Sequence, residues 1–172
     1  MKVKSLCLFF FTVIFVSCAP IATVAPRADN FSFVYQYISC GLAPLYILDS
    51  SKRTLIHTPL GDTTTIAISF PLKDEEIETI YQKAVYIGFF SYPSEFVVPN
   101  DQVVGYQMPA SSYELSITNG EMSNSVTWTD GTMTKPEYKE SDRLRELMDL
   151  IYEIIQSHPE IQQLPKPKAG CA

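Results

Sequence analysis

The chain has 172 residues and is 46% hydrophobic, which suits one globular domain with short tails. Its formal net charge is −6, and no stripe of lysine or arginine runs along it. This balance argues against a nucleic-acid partner, because a phosphate backbone is bound by clustered positive charge.

Residues 1–17 are predicted to be a secretory signal. Lys2 and Lys4 provide a basic start, and the apolar run 6–16 is too short to span a bilayer, which takes roughly 20 residues. Removing this leader leaves 11 basic against 19 acidic side chains, a net charge of −8.

Residues 15–18, with the sequence Phe-Val-Ser-Cys, resemble a bacterial lipobox, although Phe15 stands where leucine is usual. The resemblance implies a signal peptide that ends before Cys18 and a lipid attached to that cysteine, which becomes the mature N-terminus. Ala19 follows where an aspartate would retain a lipoprotein in the inner membrane, so the resemblance implies the outer membrane, facing the periplasm. The alternative is a plain secreted protein in which Cys18 carries no lipid.

The remaining cysteines form an even pair. Cys7 is removed with the leader and Cys18 is modified by the lipid. Cys40 and Cys171 therefore remain as thiols in an oxidising compartment. We therefore predict a disulfide between Cys40 and Cys171, and two free buried thiols are the alternative. There is no Cys-x-x-Cys and no cysteine–histidine cluster, so neither a metal site nor a cofactor is expected.

Two proline-containing segments flank the expected single domain, 31–159. Residues 18–30 are expected to form a lipid-anchored tether, which would reach roughly 40 Å if fully extended. Residues 160–172 are expected to form a Pro-rich C-terminal tail, free unless Cys171 holds it.

Four strands are predicted at the start of the domain. Aromatic side chains alternate with others through residues 31–37, which is the period of a strand. Residues 45–48 and 54–58 flank a hairpin loop, and 64–70 carries apolar side chains on one face.

The period changes to that of a helix between residues 73 and 90. From Ile77 to Gly88, apolar residues recur at a spacing of three and four, which gives a helix with one apolar face. The acids at 74–76 suit the positive end of the helix dipole, and Gly88 is a good terminator.

The clearest local signal is a β-hairpin over residues 113–128. Asn119-Gly120 is predicted to form its two-residue turn, since both positions take positive φ. That register pairs Ile117 with Met122 and places most apolar side chains of the hairpin on one face.

An α+β fold follows from these elements. Residues 96–98 and 103–106 are expected to add a short strand pair, and Ser141 is expected to cap a last amphipathic helix that Pro159 ends. The order β-β-β-β-α-(β)-β-β-α predicts an antiparallel sheet of about five to seven strands with two helices packed on one face.

The sequence contains no catalytic or ligand-binding motif such as a nucleophile elbow, HExxH or a phosphate-binding glycine loop. His57 lies in a predicted strand without a nucleophile, and His158 suits a helix C-terminus. Four aspartates lie in predicted turns: Asp49, Asp62, Asp101 and Asp130. Aspartate in a turn bonds its own backbone, so no catalytic residue is predicted.

An aromatic cluster follows the first helix. It consists of Phe89, Phe90, Tyr92 and Phe96. Either these rings plug the end of the sheet, or they form a partly exposed patch that recognises a partner.

Several segments together resemble small uncharacterised bacterial secreted or lipoprotein domains. They are "CGLAPLYIL", "GFF", "YELSITNG", "SVTW" and "LRELMDLIYEII". The layout over 31–159 is also distantly similar to emfourin-type protease inhibitors. The resemblance implies no catalytic residue.

We therefore expect a non-enzymatic cell-envelope lipoprotein that acts by protein binding or in envelope assembly. Its expected partners are the membrane, through the lipid anchor, and a protein. A periplasmic or secreted protease inhibitor is the alternative, and a hydrolase with an unrecognised site is the third interpretation.

Overall fold

A seven-stranded sheet forms the centre of the molecule in the computed structural model, which describes residues 26–39 and 44–166. The strands are β1 (Ser32–Ser39), β2 (Pro44–Asp49), β3 (Thr54–His57), β4 (Ile66–Ser69), β5 (Glu95–Phe96), β6 (Val103–Asn119) and β7 (Met122–Thr134). Their order across the sheet is β4-β3-β2-β1-β6-β7-β5. All neighbours are antiparallel except β5 and β7, which run parallel.

The predicted α+β fold is confirmed. The helices are α1 (Asp74–Ile87), α2 (Glu140–Ser157) and the short α3 (Pro159–Gln162). No helix of the described residues is long and apolar enough to cross a membrane. The signal segment, Cys18, Cys40 and Cys171 lie outside the described residues, so the predicted lipidation and disulfide stay predictions.

One face of the sheet and the apolar faces of α1 and α2 enclose the core. Alternate residues of the central strands point into it, and Tyr35, Leu48 and Leu115 are fully buried. The opposite face of β6 and β7 is rich in hydroxyl groups, and cross-strand pairs such as Ser112 and Thr129 hydrogen-bond at 2.9 Å. The period of two along each strand therefore separates an apolar from a polar face.

The long hairpin of β6 and β7 differs from its predicted register by two residues. Asn119 pairs with Met122 and Ile117 with Asn124, so the loop residues are Gly120 and Glu121. Gly120 has a φ of 65°, the positive value that the first loop position of a type II′ turn requires. Because the shift is two residues, every side chain keeps its predicted face.

The predicted strand pair between residues 96–98 and 103–106 is wrong. Phe96 belongs to β5, which pairs with β7, and residues 103–106 are the start of β6. The ring of Phe96 packs edge-on against Trp128 of β7, with centroids 5.8 Å apart. Burial against this indole favours pairing with β7 over a local hairpin.

The predicted helix ends are confirmed in part. Gly88 ends α1 in the left-handed conformation, with a φ of 73°. Ser141, however, is not the N-cap of α2, which begins at Glu140. Ser141 is buried inside the first turn with its hydroxyl 3.3 Å from that of Thr134, so it joins α2 to β7. Pro159 ends α2 as predicted, and it also begins α3.

The end of the predicted tether is held on the domain. Arg27 binds Asp74 at 2.5 Å and Glu78 at 2.9 Å, at the start of α1. The backbone N–H of Ala28 donates to the side chain of Asn119 at 2.7 Å. Residues from Arg27 onward therefore belong to the folded body, which shortens the span left to act as a tether.

The first part of the predicted C-terminal tail is also packed on the domain. The side chain of Ile161 in α3 is buried, and the carbonyl oxygen of Pro165 lies 3.1 Å from Nε2 of His57 on β3. The described part of the tail, which ends at Lys166, is thus ordered by contacts with the sheet and α2.

Candidate binding site

The strands β6 and β7 extend beyond the rest of the sheet as a two-stranded ribbon, which we call the arm (residues 103–110 and 131–134). Among the described residues, β1 pairs with β6 from Ser111 to Thr118. Where the arm begins, the register shifts between Tyr106 and Ser111, and Gly131 lies at the shift. A Cβ on Gly131 would lie 2.9 Å from the Cβ of Ala110, so glycine is what permits this close approach.

The arm carries a group of large apolar side chains in solvent. Val104, Tyr106, Met108 and Met133 are exposed by 60%, 77%, 84% and 53%. Met133 lies across Gly105, its sulfur 3.4 Å from the point that a Cβ there would occupy. Large apolar side chains that are exposed to this extent are typical of protein interaction surfaces.

A polar cavity of about 500 Å³ opens between the arm and α2. Its lining includes Tyr113, Asp130, Thr132, Asp142, Arg145 and Asp149. We call it the acidic cavity, because it holds three carboxylates and one guanidinium.

Arg145 joins two of the carboxylates of the acidic cavity. Its Nε and Nη2 atoms donate to the two oxygens of Asp130 at 2.6 and 2.8 Å, and Nη1 donates to Asp142 at 3.1 Å. The hydrogen bonds to Asp130 raise the pKa of Arg145 above its ordinary value. The guanidinium also lies 5.5 Å from the ring centroid of Trp128, within the range of a cation–π contact. Arg145 is therefore a fixed part of the wall.

Asp149 is the carboxylate that Arg145 does not bind. It forms no hydrogen bond or ion pair with any residue in the described part of the chain. Partial burial raises the pKa of Asp149, while the charge of Arg145 lowers it and that of Asp130 raises it further. Asp149 is exposed, so its carboxylate is open to solvent.

Thr132 supplies a second unused polar atom. Its Oγ1 is buried and has no hydrogen-bond partner among the described residues. Beside it, Tyr113 forms an aromatic wall that stacks on Trp128 at a centroid distance of 5.8 Å. Burial raises the pKa of the Tyr113 phenol well above its ordinary value, so this side chain stays neutral.

The predicted aromatic patch is divided between core and surface. Phe89 and Phe96 are buried, so their rings support the end of the sheet. Phe90 and Tyr92 are partly buried against the same core. Asn124 fixes this segment, because its side-chain amide donates to the carbonyls of Phe89 and Tyr92 at 2.9 and 3.0 Å.

Each of the two histidines contacts other segments of the fold. His57 is buried, with Nδ1 3.2 Å from the carbonyl of Leu45 and Nε2 near that of Pro165. His158 lies 3.1 Å from Glu76, and its ring is 4.3 Å from that of Phe70. Each histidine therefore joins distant segments of the chain.

Asp130 was predicted to lie in a turn, but it lies within β7 and pairs with α2. A local signal for this site is nevertheless present in the sequence. Asp142, Arg145 and Asp149 recur at i, i+3 and i+7, a spacing that puts three charged side chains on one helical face. By contrast, Asp49 at the end of β2 and Asp62 in the loop after β3 accept nearby backbone N–H groups, which is the bonding predicted for a turn aspartate.

The acidic cavity does not have the arrangement of a metal site. Among residues 26–39 and 44–166, no three His, Cys, Asp or Glu side chains are placed to hold a metal ion. Comparison with known proteins identifies no family: no protein-family model and no curated protein matches the chain.

Proposed function

We propose that this protein is a non-enzymatic binding domain of the cell envelope, which captures a partner protein with its arm. The observation that carries the proposal is the exposed apolar group of Val104, Tyr106, Met108 and Met133. Burying this group against a partner would remove apolar surface from water, which is the main source of affinity in protein association.

The position of the arm supports the proposal. Arg27 and Ala28 hold the N-terminal segment near Asn119, at one end of β6, whereas the arm lies at the other end, which includes Val103. A strand of 17 residues covers roughly 50 Å at about 3.3 Å per residue. A lipid on Cys18 would therefore be linked to the domain at the end of β6 opposite the arm.

The hydrolase interpretation gains no specific support. A two-carboxylate mechanism needs one group free as an acid and another free as a base or nucleophile. Both oxygens of Asp130 accept hydrogen bonds from Arg145, and Asp142 is bound as well. The protease-inhibitor interpretation rests on layout alone, so partner binding by the arm is the function we propose.

The predicted lipid anchor on Cys18 can be tested by the fraction in which the protein is found. Replacing Cys18 with alanine is expected to move the protein from the membrane pellet to the soluble fraction, because the lipid supplies the attachment. Mass spectrometry of the wild-type mature protein should show an acylated Cys18 at its N-terminus. Cys7→Ala is the matched control, since Cys7 leaves with the leader, and it should stay in the pellet. A Cys18→Ala protein that also stays in the pellet would contradict anchoring.

Partner binding predicts a position-dependent cross-link. A photo-cross-linking phenylalanine analogue at Tyr106 is expected to give one discrete adduct in intact cells. The matched control is the same analogue at Tyr86 on α1, because the two tyrosines are exposed to the same extent, 77% and 76%. Tyr86 should give no such adduct, and Met108→Ser should weaken the Tyr106 adduct at least threefold. Equal adducts from both positions, or none from either, would refute the proposed role of the arm.

A further inference from the structure

We propose that Met108 and Met133 are oxidation sites, and that their conversion to methionine sulfoxide switches off partner capture by the arm. The inference rests on the proposed function, because it concerns the regulation of the same surface. Three observations carry it: where the methionines of the chain lie, how exposed each of them is, and how little the core depends on the two that are on the arm.

The methionines that follow the predicted leader differ in exposure and position. There are four of them, Met108, Met122, Met133 and Met148. Met108 and Met133 belong to the arm and are largely exposed, whereas Met148 is fully buried in the core. Met122 is exposed by 46%, but it lies beside the turn at the other end of the long hairpin. A dissolved oxidant therefore reaches both thioethers of the arm and is kept from that of Met148.

The two methionines supply apolar surface to the arm without supporting the core. Met133 pairs with Gly105 across the arm, and because glycine has no side chain, the sulfur of Met133 lies over its backbone. Neither Met108 nor Met133 belongs to the buried cluster between the sheet and the helices. Oxidation of both therefore changes the surface of the arm and leaves the packing of the domain intact.

The reaction uses a peroxide as its co-reactant. The sulfur attacks one oxygen of hydrogen peroxide, the O–O bond breaks, an S–O bond forms, and water is released. Sulfur loses two electrons, which the peroxide gains. The flexible apolar side chain becomes polar, so the apolar surface that a partner would cover is reduced. A thiol-dependent methionine sulfoxide reductase reverses the change, since two thiols become a disulfide and the oxygen leaves as water.

Peptide mass spectrometry tests whether oxidation selects the arm. When the purified mature protein is treated with dilute hydrogen peroxide, Met108 and Met133 are each expected to gain one oxygen at least tenfold faster than Met148. The circular dichroism spectrum should stay unchanged while they do so, because the core is not involved. Oxidation of Met148 at the rate of Met108 would overturn the inference.

The cross-link from position 106 tests whether oxidation switches off capture. Peroxide added to intact cells before irradiation is expected to lower the yield of the adduct at least threefold. In the double variant Met108→Leu with Met133→Leu, the adduct should persist after peroxide, because leucine is apolar and has no sulfur to oxidise. Met122→Leu is the matched control: it removes an exposed methionine outside the arm, so the adduct should remain sensitive to peroxide. Equal loss of the adduct in the double variant would place the sensitive group elsewhere and overturn the inference.

The outcomes separate this inference from the proposed function. If the adduct forms in untreated cells and survives peroxide while mass spectrometry shows Met108 and Met133 oxidised, the inference fails and partner capture stands. If no adduct forms in untreated cells, the proposed function fails, and the claim that oxidation regulates capture fails with it.

Discussion

Replacing Arg145 with alanine is expected to lower the free energy of unfolding by about 2 kcal/mol. The reason is that Asp130 lies 8% exposed on β7 and would lose both of its charge-assisted hydrogen bonds. Removing one partner of a fully buried pair costs about 3–5 kcal/mol, but the side chain of Arg145 is 33% exposed, so water screens part of the effect. Urea unfolding of the purified variant measures the change.

A double-mutant cycle separates the pair from the loss of packing. Asp130→Asn should be destabilising on its own, and the double variant Asp130→Asn with Arg145→Ala should cost about 1 kcal/mol less than the sum of the single changes. The cycle is informative because Arg145 also packs over Trp128, a contact that Asp130→Asn leaves in place. Strictly additive costs would show that the two side chains contribute independently.

Replacing Leu147 with alanine is expected to have the largest effect, a loss of about 3 kcal/mol in the free energy of unfolding. Leu147 is fully buried where α2 packs on the sheet, among Leu144, Met148 and Ile151. Truncation removes the burial of three heavy atoms and leaves a cavity that rigid neighbours on the helix and the strands fill only in part. Chemical unfolding should show a lower midpoint with an unchanged slope.

Leu150 is the control for this prediction. It belongs to the same helix and has the same side chain, but it is only partly buried at the edge of the core. Leu150→Ala should therefore cost no more than about 1 kcal/mol, since fewer of its contacts are lost. Comparable losses for Leu147 and Leu150 would contradict the orientation of α2.

Much of the fold was predictable because the relevant signals are local. The period of two in β1 and the helical period from Ile77 to Gly88 follow from which side chains a strand or helix presents to one face. The two-residue error in the long hairpin has a distant cause. Asn119 accepts a hydrogen bond from the backbone N–H of Ala28, a residue 91 positions away. This hydrogen bond and the burial of Asn119 favour its place at the end of β6 over a place in the exposed turn.

The candidate site was less predictable, since it is formed by side chains that are far apart in sequence. Asp142, Arg145 and Asp149 share one helical face, but the sequence does not show that Asp130 of β7 lies against that face. The same reason explains the aromatic cluster. Phe96 is buried because β5 pairs with β7 and places its ring on Trp128, which is a contact between distant segments.

The sequence by itself determined the periodic elements, the acidic balance and the lipobox-like leader that predicts an anchor. The acidic balance depends on composition alone, and the other features depend on residues within a few positions of each other. Only the tertiary structure decided that the arm extends beyond the sheet, that Met133 borders both the arm and the acidic cavity, and that Asp149 keeps a free carboxylate. Exposure and charge pairing are properties of surfaces made by several segments, so they exist only once those segments have packed together.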